Sequence, residues 1–205
     1  HKRIKPSSSA YGAPVFYVAQ KGKIRLVFDY RAVNKNTVKN RTALPNIQEI
    51  LDRLVNAKYF SKIDYASGFH QILVDPADTH KTAFRTKYGH FEWVVMPFGL
   101  VNAPATFQSM VNRIFHDYVD KFMTVYIDDV LIFSSTAEEH AQHLELVLQR
   151  MEENKLCTRL SKCEFFKTEL DYLGYHISQN QLSVLPSRVS AIKDFEPPTS
   201  WSDLR

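Results

Sequence analysis

The chain has 205 residues, 44% of them hydrophobic and 13% aromatic, and a formal net charge of +4. That composition excludes a disordered polymer and allows one sizeable core or two joined subdomains. A mild basic excess suits a polyanionic partner without demanding one, and no apolar run nears the roughly 20 residues needed to span a bilayer.

From the N-terminus, His1 opens a basic, Ser-rich stretch with no initiator Met. Residues 15–19 are rich in β-formers, and residues 25–29 follow a Lys21-Gly22-Lys23 turn signal, so the first forty residues read as strands. A helix opens near Pro45, with Ile47, Ile50, Leu51 and Leu54 at i, i+3, i+4, i+7 spacing. Residues 59–64 then form a short aromatic and β-branched strand ending in a carboxylate. Residues 81–85 and 91–95 read as a hairpin around Tyr88-Gly89.

A second helix starts near Pro104 and buries Phe107, Val111, Ile114, Phe115 and Tyr118 on one face. Residues 122–133 read as two apolar strands interrupted by Asp128-Asp129. A third helix spans residues 138–154, with Leu144, Val147, Leu148 and Met151 inward, and Thr136 with Glu139 makes a capping box before it. His140 and His143 are expected on its exposed side, and the eight histidines form no metal-ligand pattern. Strands return at residues 164–166 and 170–177. Cys157 and Cys163 are too few for a disulfide framework and read as buried free thiols. No linker precedes Pro197-Pro198, and Ser200 reads as the cap of a helix cut off at Arg205, which predicts a piece of a longer polypeptide. Helices and strands mix without a regular βαβ alternation, so the class is α+β.

The chemistry concentrates in Val125-Tyr126-Ile127-Asp128-Asp129-Val130-Leu131-Ile132-Phe133. An isolated Asp-Asp reads first as a hairpin turn, because Asp tolerates turn geometry. Phe60-Ser61-Lys62-Ile63-Asp64 adds a second strand-end carboxylate. Two such sites side by side could hold two magnesium ions, which prefer hard oxygen ligands and keep substrate phosphates and water in their shell.

These segments resemble the reverse transcriptases, and variants within them resemble those of gypsy-type LTR retrotransposons. Tyr126-Ile127-Asp128-Asp129 matches the Tyr-x-Asp-Asp box, and Phe60–Asp64 with Ser67-Gly68-Phe69-His70-Gln71-Ile72 is similar to the first metal-binding motif. The run from Met96 to Gln108 resembles the template- and nucleotide-positioning motif. Arg25 with Phe28-Asp29-Tyr30-Arg31 and Val33-Asn34-Lys35 resembles the fingers motif, and Leu173-Gly174-Tyr175-His176 the primer grip. The five occur in the family's order and span nearly the whole chain.

The resemblance implies a right-hand polymerase fold, with an antiparallel palm sheet backed by helices. It puts fingers at residues 1–45 and 70–100, palm with primer grip at 46–69 and 101–177, and the start of a truncated thumb or connection at 178–205. It implies Asp64, Asp128, Asp129 and the Tyr65 carbonyl as ligands of two Mg²⁺ ions, with Mn²⁺ as a substitute. Phe69 becomes a gate against the ribose 2′-hydroxyl, its plain alternative being a core aromatic. Arg25 and Lys23 would hold the triphosphate, with Lys21 competing for the latter role. Phe98 and Gly99 would lie near the nucleotide sugar and base, and Gln108 on the template or nucleotide side. Lys162 would protonate leaving pyrophosphate, or be an ordinary surface lysine. Tyr126, Gly174 and Tyr175 would touch nucleic acid.

The implied function is RNA-directed DNA synthesis, also on DNA templates, with primed RNA or DNA and deoxynucleoside triphosphates as substrates. The implied partners are the RNase H and integrase regions of the same polyprotein, with no membrane. The implied location is a cytoplasmic virus-like particle, or the nucleus. A rival reading is a domesticated relic that binds nucleic acid or protein without catalysis. An RNA-dependent RNA polymerase is a third, disfavoured by bulky Phe69.

Overall fold

The computed structural model describes residues 3–20, 22–40, 42, 45–179 and 181–193. Strand β1 (Ile4–Pro6) leads into the hairpin β2 (Val15–Gln20) and β3 (Lys23–Phe28), and a short helix α1 (Arg31–Asn36) follows. Helix α2 (Ile47–Leu54) is capped by Asn46, whose side chain accepts from the Gln48 N–H, and it buries Ile50, Leu51 and Leu54. Next come β4 (Tyr59–Asp64), β5 (Phe84–Thr86), β6 (Gly89–Trp93) and α3 (Ala103–Ile114), with Pro104 in the first turn of α3. Strands β7 (Met123–Tyr126) and β8 (Asp129–Ser134) precede α4 (Ala137–Glu153), which opens with the Thr136–Glu139 capping box. The remainder is β9 (Glu164–Lys167), β10 (Glu169–Tyr172), β11 (Tyr175–Ser178), β12 (Gln181–Val184) and α5 (Pro186–Lys193).

A four-stranded sheet in the order β7-β8-β4-β9 carries the centre of the fold, and all of its pairings are antiparallel. Period-two alternation divides its side chains between two cores. Ile63, Val130, Ile132, Met123 and Val125 join Phe107 and Val111 of α3 and Val147 and Met151 of α4. Phe60, Leu131 and Phe133 join Ile50, Leu51 and Leu54 of α2 with Leu170, Tyr172 and Ile177 of the β10–β11 hairpin. A sheet covered on both faces buries β8 almost completely, which explains its unbroken run Val130-Leu131-Ile132-Phe133. A third, smaller core forms around Ala13, Tyr30 and Phe84, against the hairpin β2–β3 and the sheet β1-β6-β5. Among the described residues no helix is long and apolar enough to cross a membrane.

Several expectations change in three dimensions. Lys81 and Thr82 lie in a 3₁₀ turn, Thr79–Thr82, so the 81–95 hairpin is shorter than its β-rich sequence suggests. Helix α3 ends at Ile114, leaving Phe115 as its cap and Tyr118 beyond it. Leu148 is exposed although Val147 and Met151 are inward. Cys157 is exposed and Cys163 half-buried, not the sealed thiols expected. Lys21, the Pro197-Pro198 boundary and the Ser200 cap lie outside the described residues.

His140 reverses the expectation most sharply, for it is wholly buried and His143 is half-buried. Its ring bridges Ser61 of β4 (2.7 Å from Nε2) and Ser134 of β8 (2.9 Å from Nδ1), while His143 reaches the same Ser134 hydroxyl at 2.8 Å. Burial, then the neighbouring His143, holds His140 down to about 4. The folded state therefore resists a proton that the unfolded chain accepts near pH 6.5, so this stabilisation is present above pH 6.5 and lost as pH falls towards 4. Denaturant unfolding at pH 7 and pH 4.5 checks this. The parent is expected to lose on the order of 2 kcal/mol more across that interval than His140→Gln, and equal losses would remove His140 as the cause.

Candidate active site

The pairing of β4 with β8 sets Asp64 directly opposite Asp129, and Tyr126 pairs with Asp129 across β7–β8. Ile127 and Asp128 are thus the two residues of the connecting turn, and Asp129 already belongs to a strand. Like charges placed directly opposite destabilise a sheet. At Asp128 beside them, burial, then the charges of Asp129 and Asp64, push the carboxyl above its ordinary value. Two ammonium groups flank the set without closing it: Lys62 Nζ lies 3.9 Å from Asp129 Oδ1, and Lys162 Nζ lies 4.0 Å from Asp64 Oδ2.

Among the described residues no three His, Cys, Asp or Glu side chains are gathered into a ready cage for a metal ion. The donor set nonetheless fits magnesium, since hard carboxylate oxygens crowd here and a cation would relieve the repulsion raising Asp128. The backbone of Tyr65 suits the same end. Tyr65 bridges Thr158 through bonds made by its neighbours, Ala66 N–H to Cys157 C=O and Arg159 N–H to Asp64 C=O, which turns the Tyr65 carbonyl away from that segment. The Tyr65 side chain is buried edge-on against Phe107.

What holds the carboxylate turn is Gln108, and here the structure corrects the expectation. Gln108 is fully buried rather than facing a template or nucleotide. Its Nε2 donates to Val125 C=O at 3.2 Å and to Asn112 Oδ1 at 2.9 Å, and its Oε1 accepts the Ile127 N–H at 2.6 Å. Ile127 stands at φ 55°, a left-handed conformation that β-branched residues resist. On the far side, the buried Tyr172 hydroxyl donates to Asp129 C=O at 3.2 Å.

Phe69 sits in a 3₁₀ turn, Gly68–Gln71, entered through Ser67 at φ 54°. Gly68 has no room for a side chain, because a Cβ there would meet the Phe107 ring at 2.9 Å and Asp128 Oδ1 at 3.4 Å. The turn is therefore pressed against the carboxylates. Phe69 is only 7% exposed, packed between Phe107 (5.7 Å between ring centres) and Phe98 (4.9 Å), whereas Phe98 is 49% exposed. Gln71 ties the turn down, donating to Ala66 C=O and Cys157 C=O and accepting from Cys157 N–H.

Arg25 and Lys23 lie exposed on β3, opposite Val18 and Gln20, and among the described residues no ion pair joins either to Asp64, Asp128 or Asp129. Gly99 (φ 98°) is held by Asn34, whose side chain donates to its carbonyl and accepts from the Val101 N–H. Tyr126 is half-buried at the end of β7. Leu173 and Gly174, at φ 49° and 81°, turn β10 into β11 directly beside Tyr175. Arg188 of α5 lies so close over that turn that a Cβ on Gly174 would strike its guanidinium at 2.2 Å. Lys62, Asn34, Gln71 and Tyr172 all serve this region, and sequence reasoning assigned none of them a role. Their only signal was position inside or beside the motifs.

A family profile described as "Reverse transcriptase (RNA-dependent DNA polymerase)" matches residues 6–177. The chain is 41% identical, over 98% of its length, to the retrovirus-related Pol polyprotein from transposon 297 of Drosophila melanogaster, and covers 20% of that polyprotein. It is 34% identical over 98% of its length to the transposon Tf2-3 polyprotein of Schizosaccharomyces pombe, covering 15% of it. Among solved structures it is similar to a foamy viral protease-reverse transcriptase in complex with an RNA/DNA hybrid, with TM-score 0.86 and 27% identity over 98% of this chain and 27% of that one. A second form of that enzyme, in complex with double-stranded DNA, gives TM-score 0.89 and 28% identity over 98% of this chain and 36% of that one. The chain thus spans a fifth or less of the length of these transposon polyproteins, 20% of one and 15% of the other.

Proposed function

The chain belongs to the reverse transcriptase (RNA-dependent DNA polymerase) family, and from that premise we propose that it is the fingers and palm of an RNA-directed DNA polymerase. It extends a primer 3′-hydroxyl with deoxynucleotides on RNA or DNA templates, in the replication of a gypsy-type LTR retrotransposon. The observation that carries this reading is the in-register pairing of Asp64 with Asp129, with Asp128 in the adjoining turn. The transposon Pol polyproteins among the relatives support the retrotransposon setting.

Reverse transcriptases are metal-dependent. Asp64, Asp128, Asp129 and the Tyr65 carbonyl would hold two Mg²⁺ ions, or Mn²⁺ in their place. Bound there, such ions would supply activation of the attacking 3′-hydroxyl and charge neutralisation of the leaving pyrophosphate. The protein's own groups do the rest. To the Lys162 ammonium, 4.0 Å from Asp64, we assign protonation of the leaving pyrophosphate. Arg25 and Lys23 on the β2–β3 hairpin hold the triphosphate, Phe98 and Gly99 line the nucleotide, and Tyr126, Gly174 and Tyr175 meet the primer strand.

We assign residues 1–45 and 70–100 to fingers, since the third core draws on those two segments alone. Residues 46–69 and 101–177 form the palm, and the thumb or connection begins at 178. RNase H and integrase regions of the same polyprotein are the partners in the chain, and the site of action is a cytoplasmic virus-like particle or the nucleus.

The test is primer extension on an RNA template with deoxynucleotides, with and without Mg²⁺, by this chain and by a longer polypeptide carrying the downstream sequence. Magnesium-dependent extension supports the reading. Duplex binding without extension by either protein would replace it with a non-catalytic, nucleic-acid-binding relic. The gate is tested separately, since Phe69→Val should raise ribonucleotide incorporation by about 10- to 100-fold. Unchanged sugar discrimination would remove Phe69 from that role.

A further inference from the structure

Phe69 is nearly covered, so a ring beneath the sugar acts only as well as the ring lying on it is held. That covering ring is Phe98, half open to solvent and 4.9 Å from Phe69. An exposed aromatic on a loop is free to swing unless something braces it. The brace is His70, the residue after Phe69. Its ring meets Phe98 edge-on at 5.2 Å and 80°, and stacks flat on Trp93 at 5.1 Å and 16°.

The far end of this stack is anchored by the N-terminal segment. Arg3 donates from Nη1 to His70 Nδ1 at 3.1 Å, and its carbonyl accepts the Val94 N–H at 2.9 Å. Ile4 pairs with Trp93 across β1–β6. Backbone bonds from Val74 N–H to Val94 C=O and from Met96 N–H to Ile72 C=O join the segment after the gate turn to the segment leading into Phe98. His70 thus stands between two aromatic walls that the backbone holds in register.

We propose that His70 is a positioning residue for sugar selection, bracing Phe98 against Trp93 so that Phe98 and Phe69 act as one two-ring gate. This deepens the polymerase reading and rests on it. Removing the ring opens a gap into which Phe98 tilts, loosening the space below the ribose. The role belongs to a flat ring with stacking faces, so Phe should serve where Ala cannot.

The experiment measures kcat/KM for deoxynucleotide and ribonucleotide insertion by the parent, His70→Ala, His70→Phe and Phe69→Val, using whichever length of chain extends primers. His70→Ala is expected to lower discrimination by about 10-fold, with deoxynucleotide kcat/KM within about twofold of the parent. His70→Phe is expected to restore the parental ratio. Parental discrimination in His70→Ala, while Phe69→Val loosens, would overturn the brace and leave the gate standing. Equal loss in His70→Ala and His70→Phe would also overturn it, because the ring would then not be the agent. No loosening in Phe69→Val would instead remove the gate itself, and the brace with it.

Discussion

Replacing Asp128 by Asn is expected to lower primer extension by about 10³-fold or more, because an amide cannot supply the anionic oxygen that a metal-dependent phosphoryl transfer needs. Affinity for duplex should stay within about twofold, since binding runs mainly through phosphate contacts elsewhere. The fold should not suffer. Asp128 is held above its ordinary carboxylate value by crowding and by Asp129 and Asp64, so its ionised form is disfavoured in the native state. A neutral side chain relieves that repulsion. The variant should therefore melt at or above the parental temperature without magnesium, and magnesium should raise the melting point of the parent more than that of the variant. Extension at the parental rate would sink the carboxylate assignment. A lower melting point without metal would sink the electrostatic account of the site.

Gln108→Leu should produce the second large effect. The substitution keeps the volume but strips the Ile127 N–H and the Val125 C=O of their partner. Unsatisfied buried polar groups cost about 1–3 kcal/mol each, so a stability loss of about 3 kcal/mol is expected in denaturant unfolding. The turn would also lose the bond that holds Ile127 at φ 55°, a conformation whose cost for such a residue is on the order of 1–3 kcal/mol. Extension well below the melting temperature should fall about 10²-fold, since small displacements of catalytic groups are expensive. The double variant Gln108→Leu, Ile127→Gly distinguishes placement from general weakening. Glycine takes left-handed φ without strain, so it should recover part of the rate lost in Gln108→Leu. A Gln108→Leu protein that melts and extends like the parent would show that the turn holds itself. A double variant no faster than Gln108→Leu would show that backbone strain at Ile127 is not what the glutamine offsets.

Most of the secondary structure was legible because its causes are local. The 47, 50, 51, 54 spacing buries one face of α2, and the Thr136–Glu139 box opens α4 where its chemistry required. Residues 170–177 read as one strand, yet Leu173 and Gly174 at positive φ fold them into the hairpin β10–β11. Where local readings slipped, a neighbour in space was responsible. Lys81-Thr82 looks like strand, yet the Thr82 hydroxyl bonds Thr79 C=O and accepts from the Trp93 N–H, which draws the segment into a 3₁₀ turn.

The carboxylate site divides in the same way. The sequence by itself determined that two apolar strands end in carboxylates, that Gly68 stands before an aromatic, and that these motifs follow one another in a recognisable order. Only the tertiary structure decided which polar side chains turn inward. Gln108 is polar and sits in a motif of binding residues, so on sequence terms it faces substrate; it is buried because its amide finds the Ile127 N–H, 19 residues away. His140 sits on a helix rich in charge and reads as solvent-facing; it is buried because the hydroxyls of Ser61, 79 residues away, and Ser134 hydrogen-bond its two ring nitrogens. Burying an apolar side chain is favourable wherever water is excluded, so periodicity foretells it. A polar group is buried at tolerable cost only where a partner stands within hydrogen-bond reach, and that partner is supplied by chain folded in from elsewhere.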